Sequence, residues 1–195
     1  MRQRSGRKVR PPQREPWARA RPRPTHSQLP HDCVVLAVDT AQVSGWCLMI
    51  RGLYVSSLQF DVLKHPTLLE EVCRNGLELG RVNGLPVVLV YEKPFFGTGQ
   101  GQYIGAWKAA WVAAGGVKTR FVGVYPAQWR ARVLGSHYAS AERATVRPVE
   151  RRVAAQIAHR ECGADEAPAV CIARWGSHAG DVYKKLPEAK RKGAA

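Results

Sequence analysis

Apolar residues form two unbroken runs in this chain, at 33–39 and 87–92, and each run ends in an acidic residue. Both runs are short and rich in valine, which is typical of strands buried on both faces of a sheet. The acids at their ends are Asp39 and Glu92. We therefore predict two buried β-strands that each finish in a carboxylate.

A hairpin is predicted directly after the first run. Residues 45–50 and 53–60 have strand-like patterns, and the Arg51-Gly52 pair between them is typical of a hairpin turn. Three consecutive antiparallel strands are therefore expected at the start of the folded part. A further short strand is predicted at 120–124.

Apolar positions at helical spacing predict five helices. They are expected over residues 66–82, through Trp107 and Trp111, from Pro126 onward, over 146–160 with Pro148 in its first turn, and from Asp165 to about Trp175. Trp107 and Trp111 are four residues apart on one helical face, which favours core or dimer packing over stacking on a ligand. The alternation of helices with buried strands indicates an α/β layer fold.

The two ends of the chain differ from its middle. Residues 1–31 are polar, basic and proline-rich with no apolar period, so we expect a disordered arm. Residues 32–182 are sufficient for one folded domain, and residues 183–195 are expected to form a basic tail.

The charge of the chain predicts a polyanionic partner. The formal charge is +15, and residues 1–30 hold nine basic side chains and one acid, so the arm carries +8 and the remainder +7. Such an excess favours nucleic acid, because each neutralised phosphate releases condensed counterions. The alternative is a basic arm that only improves solubility.

Cysteine usage and hydropathy indicate where the protein works. The five cysteines are scattered without a C-x-x-C pair, which indicates an intracellular protein, and with the histidines they show no zinc-ligand spacing. No apolar run reaches the roughly 20 residues needed to cross a bilayer. Five prolines in the arm would break the amphipathic helix of a mitochondrial transit peptide. We expect a cytoplasmic protein without a membrane segment.

The two strand-end acids are the strongest candidates for chemistry. A buried carboxylate costs desolvation energy unless a cation or several donors compensate. If the strands are neighbours, Asp39 and Glu92 emerge side by side, and Mg²⁺ would relieve their repulsion. Two such ions suit phosphodiester hydrolysis. The alternatives are a turn-forming role for Asp39 and an ion pair between Glu92 and Lys93.

Candidate contacts to nucleic acid begin directly after the second run. Lys93 could meet phosphate, and Phe95 or Phe96 could stack on an unstacked base, although one phenylalanine alternatively fills the core. The other candidates are arginines of the later helices, each of which is alternatively a solvated surface residue: Arg130, Arg132, Arg143, Arg147, Arg151 and Arg152.

Four segments in order resemble the RuvC-type Holliday-junction resolvases, especially their divergent phage-like branch. They are the stretch around Asp39-Thr40 up to Trp46, then Tyr91 to Phe95, Tyr125 to Gly135, and Asp165 to Ala173. The resemblance spans roughly residues 33–180.

The resemblance implies an RNase H-like fold, with a mixed five-stranded sheet and helices on both faces. It implies a homodimer, in a bacterial or phage-infected cell, that nicks branched DNA such as a four-way junction or fork and leaves 5′-phosphates. It also implies two Mg²⁺ ions, or Mn²⁺, held by Asp39, Glu92 and Asp165.

The last segment departs from the family pattern. The family places an acid three positions after the residue that Asp165 matches, and this chain has Pro168 there. Glu166 is adjacent and is our first candidate for the missing catalytic acid, ahead of His178 and Asp181. Asp165 is alternatively only the N-cap of its helix.

Two other functions remain open at this point. The fold could be a module that binds junctions or other DNA without cutting, which the proline favours. An actin-like or sugar-kinase ATP-binding protein also begins with a strand, an Asp and a hairpin. Those proteins pair two such domains, whereas this chain has room for one.

Overall fold

The computed structural model describes residues 30–93 and 99–179, which form a five-stranded sheet with helices on both faces. The strands are Val34–Asp39 (β1), Val43–Ile50 (β2), Leu53–Asp61 (β3), Val87–Glu92 (β4) and Phe121–Val124 (β5). The helices are Pro66–Val82 (α1), Gly101–Ala113 (α2), Pro126–Val133 (α3), Arg143–Ala158 (α4) and Glu166–Gly176 (α5), with short 3-10 turns at Lys118–Arg120 and Ser136–Tyr138.

The sheet is mixed, in the order β3-β2-β1-β4-β5. β1 pairs antiparallel with β2 and parallel with β4, and β4 pairs parallel with β5. The hairpin between β2 and β3 turns at Arg51 and Gly52, whose φ values of 50° and 76° suit a two-residue hairpin loop. The predicted RNase H-like α/β fold is confirmed.

Alternation along β1 divides the core into two layers. Val34, Leu36 and Val38 pack with α1 and α2, whereas Val35 and Ala37 pack with α3, α4 and α5. Because side chains of a strand point alternately to the two faces, the residue after Val38 points toward α5. The same alternation in β4 directs Glu92 to that face. The sequence period thus places both strand-end acids on the α5 side.

Trp107 and Trp111 lie in the layer formed by α1 and α2, and both are fully buried. The Trp107 indole donates to Ser44 Oγ at 3.2 Å, and the Trp111 indole donates to the Val117 carbonyl at 3.0 Å. Core packing is therefore confirmed for these two rings. All five cysteines are free.

α5 is the most deeply buried helix, since all of its residues except Arg174 are inaccessible. Its first turn lies directly on β2. A Cβ placed on Gly45 would come within 1.7 Å of the Asp165 carbonyl oxygen, so only glycine permits this approach. Gly45 is the partner of Asp39 in the β1–β2 register. The start of α5 therefore lies beside the end of β1.

Helix α4 differs from the prediction at its start. It begins at Arg143, almost a turn before the expected Val146, and Pro148 consequently lies inside the helix rather than in its first turn. Proline removes one backbone hydrogen bond but does not end this helix, because buried positions such as Val146 and Ala154 hold it against the core.

The two predicted tails lie largely outside the described residues, as do Phe95, Phe96 and Asp181. Within the described ranges no helix combines the length and apolar character that crossing a membrane requires.

Candidate active site

The two strand-end acids lie side by side. β1 and β4 are parallel neighbours, and Val38 is aligned with Tyr91, so Asp39 and Glu92 follow at adjacent positions on the α5 face. Asp39 is 7 % exposed and Glu92 is half-buried. We call this pair the acidic edge.

The acidic edge resists double ionisation. Burial raises the pKa of Asp39 well above its usual range, and the negative charge of Glu92 raises it further, while Arg143 opposes both effects. Burial likewise raises the pKa of Glu92, although a hydrogen bond from Trp129 and the charge of Arg130 lower it in part. A cation between the two carboxylates would remove this penalty.

Neighbouring residues hold Glu92 in place. The Trp129 indole on α3 donates to Glu92 Oε2 at 2.7 Å, and the Thr40 hydroxyl donates to the Glu92 carbonyl at 3.0 Å. Lys93, proposed as its alternative partner, lies instead over the Tyr125 ring with Nζ 4.5 Å from the centroid. Glu92 is therefore oriented by a neutral donor rather than neutralised by the adjacent lysine.

The turn after β1 does not depend on Asp39. Ser44 closes it, because its hydroxyl donates to the Ala41 carbonyl at 2.7 Å and accepts from the Ala41 N–H at 3.4 Å. The turn-forming alternative for Asp39 thus finds no support in the structure.

Asp165 stands at the N-cap position of α5 without capping it. Gln59 on β3 does so instead, since its Oε1 accepts the backbone N–H groups of Asp165 at 3.0 Å and of Glu166 at 3.1 Å. The Asp165 carboxylate faces Arg143 at 4.0 Å and Arg147 at 3.8 Å. It also contributes to the raised pKa of Asp39. Asp165 therefore adds to the negative charge that surrounds the acidic edge.

Glu166, the predicted substitute acid, is held elsewhere. Its carboxylate accepts from Ser57 Oγ at 2.5 Å and from the Gly163 N–H at 2.9 Å, and it forms an ion pair with Arg160. Burial alone would raise the pKa of Glu166, but these donors outweigh it and lower the pKa. This carboxylate is already satisfied by protein groups, so the structure does not place it with Asp39 and Glu92.

A further acid, absent from the predicted site, lies nearby. Glu150 on α4 is 2 % exposed, and its charge raises the pKa of both Asp39 and Glu92. Its neighbours at four-residue spacing are Val146 and Ala154, both buried. That spacing indicates that position 150 faces the core. A glutamate at a core-facing helix position is the sequence signal by which Glu150 could have been found.

The candidate arginines separate into buried and exposed groups. Arg130 is buried, lies over the Trp129 ring at 5.3 Å and faces Glu150, so it is not a solvated surface residue, and its side chain is not exposed for the predicted contact to phosphate. The others lie on α3 and α4 with exposed or half-buried side chains: Arg132, Arg143, Arg147, Arg151 and Arg152.

Carboxylate oxygens are suitable ligands for a hard divalent cation, but the described residues do not bring three such ligands together. In the part of the chain that the structure describes, no three Asp, Glu, His or Cys side chains stand close enough to hold a metal ion. Asp39 and Glu92 supply adjacent carboxylates, and Glu150 Oε1 is buried without a hydrogen-bond partner. His178 contacts the Arg174 carbonyl at the other end of α5. Asp39 and Glu92 are thus the residues that could begin a metal centre.

Two solved structures of Thermus thermophilus RuvC are similar to this chain. One has a TM-score of 0.55 at 15% identity, and the other, RuvC in complex with a Holliday junction substrate, has a TM-score of 0.54 at 13% identity. Each comparison covers 78% of this chain and 95% of the other. No protein-family profile and no curated protein sequence matches the chain. The chain therefore has a RuvC-like fold, as predicted from the four sequence segments.

Proposed function

We propose that this protein is a divalent-metal-dependent endonuclease that cuts branched DNA. One observation carries the proposal: in a RuvC-like fold, the buried carboxylate of Asp39 and the half-buried one of Glu92 lie side by side at the ends of β1 and β4, and Glu92 raises the pKa of Asp39. Mutual repulsion of buried acids is unfavourable for folding and is useful where a cation binds.

Asp39 and Glu92 would hold the metal, with Asp165 as the third ligand. A divalent ion held by these residues would supply the Lewis acidity that activates water and neutralises charge on the leaving oxygen of a phosphodiester. The Trp129 indole keeps the Glu92 carboxylate facing the edge of the sheet. Arg143 and Arg147, which now face Asp165, could instead engage the phosphate of a bound strand and free that carboxylate.

The DNA would be bound mainly through phosphate. Arg143 and Arg147 of α4 face Asp165, and the charge of Arg143 also acts on Asp39 and Glu92. The exposed Arg132, Arg151 and Arg152 remain proposed contacts, and the whole chain carries +15. Lys93, Phe95 and Phe96 remain proposed DNA contacts. One of the similar RuvC structures was solved with a Holliday junction substrate, which supports a branched substrate here. We further propose a homodimer, because two copies would present two sites to a symmetric junction. We also propose that it works in the cytoplasm.

A DNA-binding module without nuclease activity is the second candidate. The observation that favours it is the first turn of α5, where Pro168 has no side-chain ligand and Glu166 is engaged by Arg160. In this reading the basic surface is retained and the metal ligands remain unassembled.

Incubation with a synthetic four-way junction separates the two candidates. We expect the wild-type protein to bind the junction in EDTA and to nick it when Mg²⁺ or Mn²⁺ is added, leaving 5′-phosphate ends. Asp39→Asn and Glu92→Gln should bind equally well without nicking. Tight binding by the wild type without nicks under either metal would leave the binding module standing. Failure to bind the junction would exclude both functions.

A further inference from the structure

Glu150 is a buried acid whose environment does not account for it. It lies on α4 with 2 % exposure, and its Oε1 has no hydrogen-bond partner. Burial raises the pKa of Glu150, and only arginines oppose that effect. An unpartnered buried carboxylate oxygen costs stability, so its presence calls for a ligand.

Arg130 is its nearest cation, but the pair is poorly made. Arg130 Nε lies 3.5 Å from Glu150 Oε1, and neither atom makes a hydrogen bond. Well-formed N–H···O bonds are about 2.9 Å long. A buried ion pair without such bonds recovers little of the desolvation cost of its two charges. The pair is thus a loose association that a better cation could replace.

Acidic side chains outnumber arginines around the acidic edge. Adjacent residues of α3 connect two of the acids: the Trp129 indole donates to Glu92 at 2.7 Å, and Arg130 Nε lies 3.5 Å from Glu150 Oε1. The charge of Glu150 accordingly raises the pKa of both Asp39 and Glu92. Arg130 is the buried basic side chain among them, and Arg143 and Arg147 are more exposed and face Asp165. With Asp165 included, four acids face three arginines, so the site keeps a net negative charge that favours a cation.

The α4 backbone at Glu150 packs against the side of α5 that carries Pro168. Cys171 Sγ contacts the Glu150 carbonyl at 3.8 Å, and Pro168 lies one turn before Cys171 on the same side of α5. Since Pro168 offers no side-chain ligand and Glu166 is bound to Arg160, α5 contributes only Asp165. A further carboxylate for this site must come from another element.

We propose that Glu150 is a fourth acidic residue of the metal site, and that a divalent ion competes with Arg130 for its carboxylate. The inference rests on the proposed function and adds to it a ligand from α4. Arg130 is accordingly a positioning residue, because it acts on the metal site through Glu150.

Mn²⁺ binding to the full-length protein tests this role without relying on cleavage. We would titrate the protein with Mn²⁺ and measure free Mn²⁺ by electron paramagnetic resonance, with circular dichroism to verify folding. Glu150→Gln should weaken Mn²⁺ binding by roughly tenfold or more, the size typical for residues that support a metal site. Glu71→Gln is the matched control, since Glu71 is an exposed acid on α1, across the sheet. It should bind Mn²⁺ as the wild type does.

Arg130→Gln supplies an independent measurement if Glu150→Gln fails to fold. It frees Glu150 from its competing cation, so this variant should bind Mn²⁺ more tightly than the wild type. Its melting temperature should be lowered in EDTA and should rise more on Mn²⁺ addition than that of the wild type. A purely structural pair predicts no tighter binding and no extra rise.

The two proposals fail in different ways. If Asp39→Asn weakens Mn²⁺ binding while Glu150→Gln matches the wild type and Arg130→Gln binds no more tightly, the role of Glu150 is overturned and the nuclease proposal stands. If the wild type binds no Mn²⁺ at millimolar concentration, both proposals are overturned.

Discussion

Two carboxylate sites lie near the start of α5, Glu166 and the acidic edge, and their protein surroundings shift the carboxyl pKa values in opposite directions. At one, Glu166 is satisfied by Ser57, Gly163 and Arg160, and its pKa is lowered. At the other, the acidic edge, burial raises the pKa of both Asp39 and Glu92, and neighbouring acids raise them further. The first group behaves as part of the structure. The acidic edge lowers the stability of the folded protein when both acids are ionised, which is the pattern expected of a ligand site.

Substitution at the acidic edge is expected to cause the largest loss of nicking activity, without lowering stability. Asp39→Asn removes a repelled charge without changing side-chain size, so the folded protein in EDTA should be at least as stable as the wild type. Junction nicking should fall by roughly a hundredfold or more, since a metal ligand is lost. Urea unfolding and a nicking time course measure the two quantities. If Asp39→Asn nicked the junction as fast as the wild type, Asp39 could not be a metal ligand.

Substitution of Glu166 should give the reverse outcome. Glu166→Gln weakens its ion pair with Arg160, and unfolding free energy should drop by about 2 kcal/mol, because the half-exposed arginine can still be solvated. Glu161→Gln, at an exposed neighbouring acid, is the control and should change stability little. Any residual loss of nicking should follow the fraction of folded protein. A stable Glu166→Gln protein that had lost Mn²⁺ binding would place Glu166 in the metal site after all.

The pH dependence of stability should also separate the two groups. Where the folded pKa of an acid is raised, the folded state binds more protons, so stability in EDTA falls as pH rises above the ordinary carboxyl range near about 4. Asp39→Asn should flatten that decline. Glu166 has a lowered pKa, so its stabilisation is present above that range and lost as pH falls through the lowered value. Urea unfolding at several pH values, for the wild type and both variants, provides the comparison. Equal slopes in the wild type and Asp39→Asn would refute the electrostatic account.

Loss of the Trp129 donor should have the smallest effect. Trp129→Phe keeps a ring in the core but removes the hydrogen bond to Glu92, which should cost about 1 kcal/mol of stability. Mn²⁺ affinity should weaken by less than the loss caused by Glu92→Gln, because the carboxylate remains and only its orientation is freed. Titrations of both variants test that ranking, and the reverse order would mean that Trp129 does not act through Glu92.

Local patterns were sufficient to predict the individual strands and the two acids of the acidic edge, whereas the mixed five-stranded sheet was implied by the family resemblance. The valine-rich runs identify β1 and β4, and a two-residue turn identifies the hairpin, because these features depend on neighbours in sequence. Asp39 and Glu92 could be found for the same reason, since each directly follows its run. Strand adjacency was an added assumption that the β1–β4 pairing bears out.

Contacts between distant segments could not be read from those patterns. Glu166 meets Ser57, which is 109 residues away, so its engagement was invisible in sequence. The cap that Gln59 on β3 provides for α5 is also a contact between distant segments, 106 residues apart. Arg130 is predicted as a phosphate contact together with the other helix arginines, but the fold buries it opposite Glu150.

Anomalous diffraction from crystals soaked in Mn²⁺ tests the account most directly, because it locates the cation without assuming an activity. We predict an anomalous peak within ligand distance of the carboxylates of Asp39 and Glu92, and no peak at Glu166. Mn²⁺ density that lies elsewhere, with the acidic edge empty under saturating metal, would contradict the central claim that these two acids form a metal site.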